Sequence, residues 1–270
     1  MRLIWITDPH FDHAPLSRWQ DLVADIHAAD ADGLILSGDI SVAEDLTDRL
    51  VMLVTAIDLP IYFVLGNHDF YGGRIADVRR RVSYACRQDP RLNYLTDAYP
   101  ITLTQTPHRV VLVGDDGWGD GKVGDLENTP VQLSDFDLIH DLRELDRPQW
   151  AGILRRLGEE CAQRLSRKLD AVLEMADPLE IVIVTHVPPL RQACWYQGQP
   201  TDDHWAPYFV CGAIGEMLMA TAAAATHHEF RVLCGHTHHE GVCTPLENLT
   251  IHTGAAQYGN PAVQPLRLRW

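Results

Sequence analysis

The sequence predicts an α/β fold with a largely parallel sheet, because strand-like and helix-like segments alternate through its first seventy residues. Continuous apolar runs at 3–6, 34–36 and 61–65 are typical of buried strands, the second of which is expected over 34–38. A segment with Leu22 and Ile26 at helical spacing separates the first two runs. Parallel strands need a crossover connection, which is usually a helix, so this order indicates parallel pairing.

A second helix is expected to begin at Ser41, between the second and third strands. Ser41 and Glu44 have the spacing of a capping box, in which the two residues satisfy free amides at the start of a helix. Leu46, Leu50 and Leu53 then give this helix an apolar face.

Further elements are expected along the rest of the chain. A helix over 74–86 carries several arginines, which we interpret as a solvated face rather than a patch that steers phosphate. Pro148 is expected to open a long outer helix that ends near Ala176. The remaining expected elements are strands near 100–104, 109–113, 181–185, 230–234, 248–252 and 265–269, and a helix near 212–226.

Two irregular segments, near 114–147 and 187–210, interrupt this pattern. Long loops in compact domains are frequently functional, so both are candidates for the rim of a site. The chain shows neither an internal repeat nor a linker. One domain over residues 1–270 is therefore favoured over two.

The composition is that of a soluble globular protein with a strong negative charge. Of the 270 residues, 46% are hydrophobic, and 22 Lys and Arg against 37 Asp and Glu give a net charge of −15. This charge disfavours non-specific binding to nucleic acids. A bound metal pair would reverse the sign locally, so a small phosphorylated substrate is compatible with it. The oligomeric state is not indicated.

Several sequence features predict a cytoplasmic protein. No stretch of about 18 or more apolar residues occurs, so no transmembrane helix is expected. The N-terminal segment lacks the basic, apolar and small-residue regions of a signal peptide. The six cysteines include no C-x-x-C pair and are expected to be reduced.

Five strand-like runs each end in residues that bind metal ions. Imidazole and carboxylate groups are common ligands of divalent metals. Each segment alone is a weak signal, because a Gly-Asp pair is commonly a turn and a single histidine is commonly a core residue. Together they indicate one site, since the carboxyl ends of parallel strands meet at one edge of a sheet. The segments are Asp8-Pro9-His10, Gly38-Asp39, Gly66-Asn67-His68-Asp69, His186 and Gly235-His236-Thr237-His238.

Taken in order, these segments resemble the motifs of calcineurin-type metallophosphoesterases. The family pattern is Asp-x-His, Gly-Asp, Gly-Asn-His-Asp/Glu, a histidine and Gly-His-x-His, and every part occurs here between residues 8 and 238. The third and fifth segments are the most specific parts. The resemblance implies a four-layer αββα sandwich, in which helices flank two mixed β-sheets.

The resemblance also implies two divalent metal ions that share Asp39 as a bridging ligand. Ligands without cysteine suit Mn, Fe, Zn or Co, and the choice among these metals stays open. The implied ligands of one ion are Asp8, His10, Asp39 and His238, and those of the other are Asp39, Asn67, His186 and His236.

A two-metal centre of this kind implies a phosphoesterase. The ions lower the pKa of a bridging water, and the resulting hydroxide attacks phosphorus in line. By resemblance, His68 contacts the phosphate and protonates the leaving group, with Asp69 or the surroundings of Asp8 as candidate partners. Monoesters and diesters both stay open as substrates. The alternatives are a catalytically silent scaffold with this fold, and a nuclease or nucleotide phosphodiesterase.

Substrate contacts are expected from the two irregular segments. Trp118 between glycines suits a stacking wall, and Lys122 suits a phosphate or carboxylate, although a turn with Trp118 in the core is an equal alternative. Arg191, Trp195 and His204 follow the fourth motif. Of these, Arg191 suits a phosphate oxygen, while packing beneath the loop stays open for the aromatic residues.

Overall fold

The computed structural model describes residues 1–105, 109–175 and 179–270. Its strands are, in chain order, β1 (Arg2–Ile6), β2 (Gly33–Ser37), β3 (Ile61–Val64), β4 (Leu92–Tyr94), β5 (Ile101–Thr104), β6 (Arg109–Gly114), β7 (Leu179–Val184), β8 (Trp195–Tyr196), β9 (Gln199–Pro200), β10 (Glu229–Cys234), β11 (Gly241–Leu246), β12 (Leu249–Thr253) and β13 (Leu268–Arg269). Its α-helices are α1 (Leu16–Ala28), α2 (Leu46–Ile57), α3 (Ile75–Gln88), α4 (Asp135–Leu138), α5 (Arg147–Leu173), α6 (Ala206–Phe209) and α7 (Gly212–Ala224).

The long strands form two mixed sheets. The first has the order β13-β1-β2-β3-β4, in which β1 to β4 run parallel and β13 runs antiparallel. The second has the order β11-β12-β10-β7-β6-β5, in which the four central strands run parallel and the two edge strands antiparallel. The predicted parallel pairing of the first three strands is confirmed.

The two sheets face each other across an apolar layer. Trp5 and Val64 of the first sheet meet Val184 and Leu233 of the second in one buried cluster. Successive side chains alternate between the faces of a strand, so neighbours such as Ile6 point outward into the helices. Helices α1, α2 and α3 cover the first sheet, and α5 and α7 cover the second. This arrangement is the predicted αββα sandwich.

Helix α2 begins at Leu46 rather than at the predicted Ser41. The backbone amides of Ile40 and Ser41 instead donate to the buried Asp69 carboxylate, at 2.8 and 2.9 Å. The Ser41 hydroxyl donates to Asp45 at 2.6 Å. The predicted capping box is therefore wrong, because this segment ties the loop after β2 to the loop after β3.

Residues 114–120, predicted to belong to an irregular rim, are buried. Asp116 pairs with Arg79 at 2.8 Å, and Asp115 pairs with Arg164 at 2.7 Å. A buried carboxylate needs a cationic or hydrogen-bonding partner. These aspartates therefore belong to a buried, well-packed segment that directly follows β6. Arg79 points inward for the same reason, and the predicted solvated face of α3 is wrong at this position.

The remaining predicted elements are present with shifted ends. Strands β4 and β11 were not predicted, because β4 has only three residues and β11 contains Gly241 and Pro245. The predicted strand at 265–269 is shortened to β13. Helix α5 ends at Leu173, while Ala176 lies outside the described residues. Over the described ranges, no helix is both long and apolar enough to cross a membrane. The six cysteines are free, as predicted.

Candidate metal centre

The predicted ligands follow the carboxyl ends of five strands, three in the first sheet and two in the second. Backbone hydrogen bonds join their loops: the Asp8 amide donates to the Gly38 carbonyl at 3.1 Å, and the Gly235 amide donates to the His186 carbonyl at 2.9 Å. The His236 amide also donates to Oδ1 of Asp8 at 3.1 Å, so the ligand-bearing ends of the two sheets meet. In chain order, β1 precedes Asp8 and His10, β2 precedes Asp39, β3 precedes Asn67, β7 precedes His186, and β10 precedes His236 and His238.

Four of these side chains form what we call group 1: Asp8, His10, Asp39 and His238. Nε2 of His10 lies 3.1 Å from Nε2 of His238 and 3.8 Å from Oδ2 of Asp39. Nε2 of His238 lies 3.4 Å from Oδ1 of Asp8. One ligand atom from each residue lies within 4.8 Å of the others, so the group could hold a metal ion.

A second cluster, group 2, contains Asp39, His186 and His236. Nε2 of His186 lies 3.4 Å from Oδ1 of Asp39 and 3.1 Å from Nδ1 of His236. The amide oxygen of Asn67 lies 3.3 Å from the same Nε2 and so joins this group. Asp39 belongs to both groups, with Oδ2 on the His10 side and Oδ1 on the His186 side.

Backbone carbonyls orient two of the imidazoles. Nδ1 of His186 donates to the Ser37 carbonyl at 2.9 Å, and Nε2 of His236 donates to the Tyr208 carbonyl at 3.2 Å. A carbonyl oxygen only accepts, so each of these nitrogens carries the proton. The other nitrogen of each ring then directs its lone pair into group 2, which is how histidine ligands are commonly prepared.

A buried carboxylate orients Asn67. The Asn67 amide nitrogen donates to Oδ1 of Asp135 at 2.8 Å, which turns the amide oxygen toward group 2. The Tyr71 hydroxyl donates to the same oxygen at 2.7 Å. Burial raises the pKa of Asp135, although these two hydrogen bonds oppose the rise.

The pKa values show that the carboxylates favour positive charge at this place. Burial would raise the pKa of Asp39, but His186 and His68 hold it well below its usual value. Burial lowers the pKa of His10 to about 4 and that of His236 to about 3. Burial also acts to lower the pKa of His186, but Asp39 outweighs it and raises the value to about 10. The buried carboxylates therefore favour a positive charge beside His186, and a bound cation would take the place of its second proton.

The backbone is unusual at five of the predicted ligands. They are five of the nine non-glycine residues with positive φ in the described part of the chain. Such conformations cost about 1–3 kcal/mol each and cluster at functional sites. The residues are Asp8 (φ 47°), His10 (φ 42°), Asp39 (φ 50°), His236 (φ 70°) and His238 (φ 58°).

Two motif glycines lie so close to ligand atoms that no side chain fits at their positions. A Cβ on Gly66 would lie 2.1 Å from Oδ1 of Asp39 and 2.6 Å from Nε2 of His186. A Cβ on Gly235 would lie 2.1 Å from Oδ2 of Asp8. A side chain at either position would therefore displace ligand atoms.

The structure places His68 at the margin of group 1. Its ring centroid lies 4.6 Å from that of His10 and 4.3 Å from that of Tyr71, and its backbone amide donates to Oδ1 of Asp39 at 2.9 Å. The suggested pairing with Asp69 is wrong. That carboxylate instead accepts from backbone amides, including Gly66 at 2.8 Å.

Sequence reasoning missed three residues near the site. Asp135 and Tyr71 orient its parts, and the Tyr258 ring lies 4.4 Å from the His10 ring and 4.9 Å from the His238 ring. Asp135 begins the short helix α4 and Tyr258 follows β12, and neither belongs to a motif. Tyr71 lies two residues after the third motif, and an aromatic residue near that motif was the one available signal.

The predicted contacts from the first irregular segment have other partners in the structure. Trp118 is 4% exposed, and its ring centroid lies 5.6 Å from that of Phe70 in the core. The predicted stacking wall is therefore wrong. Lys122 pairs with Glu216 of α7 at 2.5 Å.

The three predicted contacts from the second irregular segment have different surroundings. Arg191 pairs with Asp203 at 2.5 Å, and His204 is exposed. Trp195 lines a cavity of about 560 Å³. Only Trp195 of these three residues contributes to that cavity.

A family model described as calcineurin-like phosphoesterase matches residues 1–240. The chain belongs to the calcineurin-like phosphoesterase family. The matched range contains all five metal-binding motifs. This family is metal-dependent, and groups 1 and 2 are where this member could hold metal. No curated protein matches the chain.

Solved structures share the fold of this family member at low sequence identity. A phosphopantetheinyl hydrolase from Mycobacterium tuberculosis is 15% identical with a TM-score of 0.66, over 98% of this chain and 95% of that one. A dimetal phosphatase from Danio rerio is 14% identical with a TM-score of 0.56, over 94% and 87%. A putative 5'-nucleotidase from Staphylococcus aureus is 16% identical with a TM-score of 0.50, over 98% and 53%.

Proposed function

We propose that this chain is a dinuclear metal-dependent phosphoesterase that hydrolyses a phosphate monoester or diester at groups 1 and 2. The observation that carries the proposal is Asp39, whose two carboxylate oxygens face two sets of ligand atoms. Two metals in such enzymes lie about 3.5–4 Å apart, a separation that one carboxylate can bridge. Family membership supports the same class of reaction.

The donor chemistry fits two divalent ions. Imidazole, carboxylate and amide donors suit Mn, Fe, Zn or Co. The tautomers set by Ser37 and Tyr208 leave the ligating nitrogens free. One ion would be held by Asp8, His10, Asp39 and His238, and the other by Asp39, Asn67, His186 and His236.

His68 supplies the proton that hydrolysis requires. When bound, the two metal ions would polarise phosphoryl oxygens and lower the pKa of a bound water. His68 belongs to neither group, yet its ring lies beside the His10 ring and is half-buried. We therefore assign to His68 the protonation of the leaving group and a contact with the phosphate. The Tyr71 ring at 4.3 Å holds the imidazole in place.

The substrate we propose is a small phosphorylated molecule in the cytoplasm. The net charge of −15 opposes binding of a long polyanion, which disfavours the nuclease alternative. Two structurally similar proteins are named a phosphopantetheinyl hydrolase and a putative 5'-nucleotidase, and both names denote hydrolysis of a phosphate ester. A silent scaffold would have no use for His68 beside a complete ligand set.

Hydrolysis of two chromogenic esters tests the proposal. Metal-stripped protein should hydrolyse p-nitrophenyl phosphate, bis-p-nitrophenyl phosphate or both once Mn, Fe, Zn or Co is added. The ratio of the two rates separates monoesterase from diesterase. Hydrolysis of neither ester with any metal would contradict the proposal and favour the scaffold.

A further inference from the structure

The cavity of about 560 Å³ opens beside groups 1 and 2. The hairpin of β8 and β9, the turn that follows it, Phe209 and Thr237 form its walls. The Phe209 ring centroid lies 4.3 Å from that of His236. Thr237 lies between two predicted ligands in the chain. The cavity therefore adjoins the candidate metal centre directly.

The walls of this cavity are rich in aromatic side chains. Trp195, Tyr196, Trp205 and Phe209 all line it. Tyr196 is 60% exposed and Trp205 is 45% exposed, and exposed apolar surface beside a polar centre is typical of a binding site. The rings of Trp205 and Phe209 meet edge to face, with centroids 5.6 Å apart.

The charge of the lining excludes a second phosphate. None of the described lining residues is Lys, Arg or His. The one charged residue is Asp202, whose Oδ1 accepts from the amides of His204 and Trp205 at 2.9 and 3.0 Å. A phosphate requires cationic or amide donors, so this cavity suits an uncharged organic group.

We propose that the cavity is the subsite for the organic part of the phosphoester, and that this part is a planar aromatic or heteroaromatic group. The inference rests on the proposed function for the phosphate itself, which would lie at groups 1 and 2. A volume of about 560 Å³ is within the usual range of small-molecule sites. Aromatic groups gain from stacked and edge-to-face contacts, which Trp205 and Tyr196 offer on exposed rings.

Two esters with the same carbon skeleton test the aromatic preference. The substrates are 2-naphthyl phosphate and its saturated analogue, decahydro-2-naphthyl phosphate. In Trp205→Ala, kcat/KM should fall about tenfold more for the naphthyl ester than for the saturated ester, as loss of aromatic contacts requires. Each variant is compared with the wild type on the same ester, so the different reactivities of the two esters cancel.

Tyr99→Ala is the matched control, because Tyr99 is 90% exposed and does not line the cavity. This variant should change neither rate. Equal losses on both esters in Trp205→Ala, or no loss on the naphthyl ester, would overturn the subsite. Circular dichroism of each variant confirms that it is folded.

Binding of the product alcohol provides a second measurement that does not need hydrolysis. By calorimetry, 2-naphthol should bind the wild type more tightly than decahydro-2-naphthol, and Tyr196→Ala should weaken naphthol binding about fivefold. Naphthol binding without hydrolysis under any metal would support the subsite and contradict the proposed function. Hydrolysis of p-nitrophenyl phosphate without naphthol binding would overturn the subsite alone.

Discussion

At the scale of single residues, His68 and Asp135 both lie next to the predicted ligand Asn67 but have different proposed roles. His68 directly follows it in the chain, and its imidazole lies outside both ligand groups. Asp135 accepts from the Asn67 amide and so determines which way its oxygen points. Loss of the first should impair chemistry, whereas loss of the second should impair metal binding.

Replacement of His68 tests its assigned role as proton donor. His68→Ala should keep the metal content of the wild type while kcat falls by roughly 10²–10⁴-fold, the usual contribution of a general acid. Elemental analysis measures the metal content, and steady-state kinetics on phenyl phosphate, whose poorer leaving group needs the proton, measure the effect on kcat. Full activity in the variant would remove His68 from the mechanism.

Replacement of Asp135 tests the orientation of Asn67. Asp135→Ala should weaken metal affinity about 10–100-fold, because the amide loses the partner that directs its oxygen. Calorimetric metal titration measures this change. Asp137→Ala is the control, since Asp137 is exposed on the same short helix α4 and should not alter affinity. Equal affinities in both variants would show that Asp135 does not position Asn67.

At the scale of elements, the turns after the strands are built around the ligands they present. Left-handed backbone at Asp8, His10 and Asp39 turns the chain sharply after β1 and β2. The glycine before a ligand allows the neighbouring side chains to approach. Geometry of this kind explains why the motifs combine glycine with ligand residues.

A pair of glycine substitutions tests this account. Gly66→Ala should abolish metal binding, because the new Cβ would lie 2.1 Å from Oδ1 of Asp39. Gly152 is exposed in helix α5 with no heavy atom within 4 Å of such a Cβ. Gly152→Ala should instead raise the free energy of unfolding by about 0.5–1 kcal/mol. Elemental analysis and thermal unfolding measure the outcomes, and normal metal content in Gly66→Ala would refute the steric argument.

The buried pair of Asp116 and Arg79 attaches α3 to the segment after β6. Burial alone would raise the pKa of Asp116, but Arg79 and several hydrogen bonds outweigh it and hold the pKa below 3.8. A lowered pKa in the folded protein contributes stability above that value, and this stability is lost as the pH falls through the folded pKa. Asp116→Asn should therefore cost about 3–5 kcal/mol at neutral pH.

Urea denaturation of Asp116→Asn at several pH values measures this contribution. The difference from the wild type should be largest at neutral pH and should narrow below pH 3.8. Asp77→Asn is the control, because Asp77 forms an exposed pair with Arg80 on the same helix. Exposed pairs contribute about 0–1 kcal/mol, so a similar cost in both variants would contradict the account.

At the scale of the whole molecule, the family resemblance carried by the motifs implied the αββα fold, and ligands at the ends of parallel strands were expected to converge. Asp135 and Tyr258 could not be predicted, since neither belongs to a motif and the fold brings both to the site from distant parts of the chain. Burial of Asp116 was equally hidden, because its partner Arg79 lies on another element. Sequence motifs identify the candidate ligands, whereas only the structure shows which residues orient those ligands and pack around them.

The central claim is that two metal ions share Asp39 in a catalytic centre. Elemental analysis of reconstituted protein, with hydrolysis of p-nitrophenyl phosphate and bis-p-nitrophenyl phosphate on the same samples, tests it most directly. We expect two ions per chain in the wild type, and loss of both metal and activity in Asp39→Asn. A single ion per chain in the active wild type, or undiminished metal in Asp39→Asn, would contradict it.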